Sequence, residues 1–294
     1  MENQIQIPTV EEIKFAGSTA KVNLETLSNT TTHLQVSGQL PKSRPIHHFQ
    51  FVDWIRDEFS VITGKDAVVE PITITKSHSR RIRMSVDEVI NPNDPCPIKA
   101  LNVERLVTRI YLPDTHQVGI DDLTPAIAVG YNEKGLEVAY GTNVWACANM
   151  NIFGSRHLKT YGEGKVPFEV LRDGLVSMMN NWQENFQRDQ DAIRNLQRVE
   201  VDIDKVHQMT GKLFENAVEF NNRQRDKRIF TTGQCIRLQE ELLKKYQSGD
   251  AITAWDFTQA GTENLKPDSV DLTVLLPAVK GFNDFVLDEL NIQY

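Results

Sequence analysis

Cysteine is scarce in this chain, and its three residues, Cys96, Cys147 and Cys235, lie far apart with no Cys-x-x-Cys pair. That distribution argues against a disulfide framework and a thiolate zinc site, and it fits a reducing compartment. Long apolar runs are also missing. No stretch approaches the roughly 18 residues of a membrane span, and Met1 to Val10 has neither the basic start nor the apolar run of an export signal. A cytoplasmic protein without membrane association is expected. Positive charge is in deficit, 32 Lys and Arg against 40 Asp and Glu. The net charge of −8 opposes long-range attraction to phosphate backbones, so any nucleic-acid role requires a local basic patch.

A catalytic constellation is absent as well. Cys147 and His157 are a thiolate and base pair by type only, because Cys147 lies in the apolar run Val144 to Ala148, where a free cysteine serves as a small core residue. Gly162, Gly164 and Lys165 suggest a phosphate loop, but Lys159 stands where the loop needs glycine and Val166 where it needs Ser or Thr. Asp114, Glu163 and Lys165 are the residue types of a metal-dependent nuclease, yet they are far apart and Glu163 lies between glycines in a probable turn. His47 and His48 are adjacent, which turns their rings apart; a role at the entry of a helix suits them better than shared metal ligation. The acidic pairs Asp121–Asp122 and Glu240–Glu241 read as solvated faces or turns. No enzyme, cofactor or metal is expected.

What the sequence does contain is an ordinary globular composition, 40% apolar and 24% charged, at a length for which two compact units, or one domain with a large appendage, is the default. Short β-like pieces separated by turn residues fill Ile5 to Leu40. Phe49, Val52, Ile55 and Phe59 recur at helical spacing before Gly64. β-branched, alternating stretches follow at Val68–Thr75, Leu106–Leu112, Pro125–Val129 and Glu137–Trp145. The loop Asn91–Pro97 between them carries three prolines in seven residues and is a candidate contact loop. Beyond Gly164 the period becomes helical: Leu171, Leu175, Met178, Trp182, Phe186, Ile193 and Leu196 trace one long helix opened by Pro167, with Asp189 and Gln190 interrupting its stripe. Further helices are expected around Val206–Ala217, Ile236–Tyr246 and Phe282–Leu290.

The predicted fold is therefore α+β: an N-terminal β-rich arm over 1–45, a mostly antiparallel sheet domain with a short helix over 46–164, and a helical domain with one long helix over 165–294. A helix of about thirty residues offers more apolar stripe than a small domain covers, so homo-oligomerisation is an expectation too. Two basic clusters are the candidate phosphate or partner contacts: Lys76, His78, Arg80, Arg81 and Arg83, and then Arg223, Arg225, Lys227 and Arg228. With Trp54 or Tyr111 for stacking, the first supplies the elements of a single-strand DNA groove.

Two segments carry a resemblance: Ala126 to Gly154, AIAVGYNEKGLEVAYGTNVWACANMNIFG, and Ile252 to Asn264, ITAWDFTQAGTEN. They resemble the signatures of phage- and plasmid-encoded families of unknown function, in which a Cys-Ala-Asn strand end, here Cys147, Ala148 and Asn149, precedes a helical tail with Thr-x-Trp and Thr-Glu. The matching tail residues are Thr253, Trp255, Thr262 and Glu263. The likeness extends loosely over the region around Phe15 to Ile55 and implies a mobile-element setting and action by binding host machinery. In length, acidity and lack of enzymatic motifs the chain is similar to octamer-forming phage inhibitors of the Gabija defence complex. That similarity implies an oligomeric inhibitor which blocks a defence nuclease from DNA; a single-strand DNA-binding or annealing accessory protein is the alternative.

Overall fold

The computed structural model describes residues 13, 16, 19–28, 30–32, 48–76, 102–132, 135–145, 152–161, 168–220, 224, 227–267, 270, 272 and 274–292. The strands are β1 (Thr19–Val22), β2 (Thr31–Thr32), β3 (Val68–Val69), β4 (Ile72–Lys76), β5 (Asn102–Tyr111), β6 (His116–Val118), β7 (Asp121–Asn132), β8 (Gly135–Val144) and β9 (Ile152–Tyr161). The helices are α1 (Leu24–Ser28), α2 (His48–Thr63), α3 (Phe168–Met179), α4 (Trp182–Arg198), α5 (Ile203–Glu219), α6 (Thr232–Gln247), α7 (Ala254–Glu263) and α8 (Leu275–Glu289). The fold is α+β, as the sequence pattern predicts. One sheet runs in the order β1-β4-β5-β7-β8-β9, with β2 and β3 on β5 and β6 on β7. Every pairing is antiparallel except β2 with β5.

The sheet lies between two helical layers. On one face α1, α2 and α3 meet Ile74, Leu106, Ile110, Ile127, Val129 and Tyr140; on the other α4 to α8 meet Val107, Ala126, Ala128, Ala139 and Phe153. The parity of β7 explains this: odd positions Ile127, Val129 and Tyr131 enter one core, even positions Ala126 and Ala128 the other. Antiparallel sheets commonly leave one face to water, but here β7 and β8 are buried on both sides and their apolar content is nearly continuous. The apolar cores thus run across residue 164 rather than stopping there.

The local signals explain most of the elements. In α2, Phe51, Val52, Ile55 and Phe59 share one fully buried stripe, each such side chain contributing about 1.5–3 kcal/mol. Gly64 ends that helix in the left-handed conformation at φ +66°. His48 opens it with a buried ring nitrogen 2.8 Å from Thr30 Oγ1, at the helix entry expected of it, while His47 lies outside the described residues. Pro71 separates β3 from β4, where the sequence suggests one strand. Thr231 and Gln234 form a capping box on α6, and Thr253 and Asp256 form one on α7.

The expected long helix is divided. Its stripe runs through α3 and α4, but the chain turns at Asn180–Asn181, so α3 covers one face of the sheet and α4 the other. A straight helix reaches one face only. Asp189 and Gln190, which interrupt the stripe in sequence, are buried in the structure, and Asp189 Oδ2 accepts a 2.6 Å hydrogen bond from Thr142 on β8. The stripe is polar at that level because the strand beneath it is polar.

α7 and α8 approach closely at Gly261, where a Cβ would stand 2.0 Å from Phe282 Cζ. Gly211, on the exposed side of α5, has nothing within 4 Å of that position. In urea denaturation, Gly261→Ala is expected to lose about 2–3 kcal/mol through overpacking. Gly211→Ala is expected to gain about 0.5–1 kcal/mol by restricting the unfolded chain. Equal stability of the two variants would contradict this packing.

Candidate interaction surface

Several polar residues inside the molecule are tied to one another or to the backbone. Arg109 on β5 lies on the same face as Ala128, whose small side chain leaves it room; its guanidinium pairs with Glu70 at 2.6 Å and donates to Asn143 on β8. Asn283 on α8 donates to the Ile152 carbonyl at 3.3 Å, and the Tyr140 hydroxyl donates to the Trp182 carbonyl at 3.1 Å. These bonds fasten helices to strands across both faces.

Asp121 corrects the reading of Asp121–Asp122 as solvent-facing. Asp121 is buried at the start of β7, and its Oδ2 accepts from Trp255 Nε1 at 2.7 Å and from Gln197 Nε2 at 2.9 Å. Burial pushes its carboxyl above the usual range, against the lowering effect of those two donors. Trp255 also meets Phe153 edge-to-face, with ring centroids 6.1 Å apart. The two segments that carry the resemblance therefore join in the core. Thr253 caps α7, Trp255 and Thr262 are buried, and Glu263 pairs with Lys266 on the outside. These motif residues build the helix and its seat.

Few of the residues singled out by charge or reactivity come together. Of Lys76 only the backbone is described, at the end of β4 beside a break in register with β5; Arg80, Arg81, Arg83, Arg223 and Arg225 lie outside the described residues, as do Cys96, Cys147, Glu163, Lys165 and the proline loop. Asp114 is exposed and pairs with Lys65 at 2.7 Å, which holds its carboxyl below the usual range. His157 is paired in register with Ala139 on β9. Cys235 is buried in the core of the helical layer, and burial pushes its thiol up to about 11. Among the described residues, no three His, Cys, Asp or Glu side chains form a metal-holding group, and no helix is long and apolar enough to cross a membrane.

Of nine exposed large hydrophobic residues among those described, four belong to the packed pair α5 and α6: Phe214 and Val218, one turn apart, and Ile236 and Tyr246. Their buried neighbours Leu213, Ala217, Leu238 and Leu242 already fill the core side, so these four are surplus to folding. The periodicity of both helices is visible in sequence, but which apolar residues remain outside depends on where the sheet lies. The end of the pair carries Arg228, the described arginine of the second basic cluster, with Lys227 Nζ 5.9 Å above the Phe220 ring.

No family model, no curated protein and no solved structure matches this chain.

Replacing Asp121 separates its charge from its hydrogen bonds. Asp121→Ala strands two donors and is expected to cost about 1–3 kcal/mol. Asp121→Asn retains an acceptor and is milder. Because the folded-state pKa is raised, the penalty for ionising Asp121 is absent below the unfolded carboxylate pKa and grows as pH rises through the folded one. The stability of the parent relative to Asp121→Asn is therefore expected to fall as thermal melts move from acid toward neutral pH. A constant or rising difference would refute the assignment.

Proposed function

We propose that the protein acts by binding rather than by catalysis, and that the α5–α6 pair is its docking surface. The observation that carries this reading is the exposure of Phe214, Val218, Ile236 and Tyr246 on two packed helices whose core sides are already filled by other apolar residues. Aromatic and aliphatic anchors within a polar surround are the usual centre of a protein interface. In the mobile-element setting implied by the resemblance, the partner is a host defence complex of the Gabija type and the inhibitor is a homo-oligomer. A net charge of −8 suits a target that presents a basic DNA-binding face, since complementary charge accelerates encounter and excludes competing partners.

The test is a nuclease-treated affinity capture from cells expressing defined defence systems, followed by light-scattering stoichiometry of the complex reconstituted from purified components. A stable complex is expected without nucleic acid. Phe214→Asp combined with Ile236→Asp is expected to weaken it by roughly tenfold or more, about 1.4 kcal/mol, while leaving the melting temperature of the free protein unchanged. Recovery of nucleic acid alone, or a complex indifferent to the two substitutions, would remove the support for this reading.

A further inference from the structure

A cavity of about 140 Å³ opens beside the start of α6, between the segment leading into that helix and the stretch that follows α7. Its polar side is made by Arg228, Thr231, Gln234 and Arg237, its apolar side by Phe230, Leu265 and their neighbours, and among the described residues that line it none carries a carboxylate. In a chain with a net charge of −8, this recess brings two arginines together among its described lining residues.

The hydrogen bonds around the recess leave it with donors. The Gln234 side chain is engaged at both ends: its Oε1 accepts from the Thr231 amide at 2.7 Å and its Nε2 donates one N–H to the Asn264 carbonyl at 2.7 Å. Thr231 Oγ1 accepts from the Gln234 amide at 3.3 Å, which leaves the hydroxyl proton to give. Arg237 Nε donates to Asn264 Oδ1 at 2.9 Å, which fixes the side chain across the first turn of α6. Its Nη1 lies 3.9 Å from the place a Cβ would occupy on Gly233. Among the described residues no ion pair engages Arg228 or Arg237. The helix end itself contributes little, because its capping box already occupies the Gln234 amide.

We infer that this recess is a binding site for a small oxyanion, a phosphate or a carboxylate carrying at most a short apolar body. Two guanidinium forks and a hydroxyl are donors matched to such a group, and charge-assisted bonds of this kind are the strong ones. The volume is several times the ~30 Å³ share of one water, so there is space for the group itself. The apolar wall favours an organic anion over chloride. The site is independent of docking by the outer faces of α5 and α6, and its test involves no partner protein.

The experiment is calorimetric titration of the purified full chain with inorganic phosphate and, separately, with sodium propionate, at constant ionic strength set by sodium chloride. Saturable binding of at least one probe is expected, and the probe that binds distinguishes a phosphate from a carboxylate source. Arg228→Gln with Arg237→Gln is expected to weaken binding at least tenfold, Arg237→Lys to retain part of it through charge, and Arg194→Gln, a remote loss of one charge, to leave it unchanged. The inference is overturned if neither probe binds saturably to the parent protein. It is equally overturned if the double substitution binds as the parent does.

Discussion

Burial of the central antiparallel strands on both faces is the constraint from which the rest of this structure follows. β7 and β8 pair along ten residues, and with helices on either side their backbones and side chains are removed from water. Every polar group admitted there has to find a partner, because an unpaired one costs as much as several methylene burials return. Arg109 with Glu70 and Asn143, Thr142 with Asp189, and Asp121 with Trp255 and Gln197 answer most of that demand, while the Asn143 Nδ2 amide finds no hydrogen-bond acceptor among the described residues. They also fix where each helix sits, since a one-residue slip would separate the partners.

The same constraint divides the chain after residue 167. One helix cannot cover both faces, so the stripe is split between α3 and α4 at Asn180–Asn181, and the remaining helices complete the second layer. α4 and α8 lie against the strands and α7 reaches them through Trp255, whereas α5 packs chiefly on α6, and α6 on α5 and α7. An outer pair of this kind has a second face for which folding has no use. The apolar groups of the proposed docking surface are on it, and the anion recess is at its end.

Distance from the polar interior separates structural from functional expectation in this protein. The residues that carry the resemblance, Thr253, Trp255 and Thr262, are committed to capping and core contacts. Among the described residues, groups outside the core and available to meet something else include Arg228, a member of the second basic cluster, and Arg237 and Phe214, which the sequence does not single out.

The amino-acid sequence by itself determined the elements: β-branched alternation set the main strands, 3.6-residue spacing set the helices, and Gly64, Pro71, Thr231 and Thr253 set several of their ends. These signals are local and act through backbone preference and side-chain period. The strand β9 was less legible, because Gly154, Ser155 and His157 dilute its pattern. Only the tertiary structure decided which polar residues were interior. Asp189 looks like a break in a stripe and Asp121 like part of a solvated pair until Thr142 and Trp255 are brought to them from far along the chain. The surface residues left for function were set in the same way: Phe214 and Leu213 are neighbours in one helix, and the direction of the core alone buries one and exposes the other.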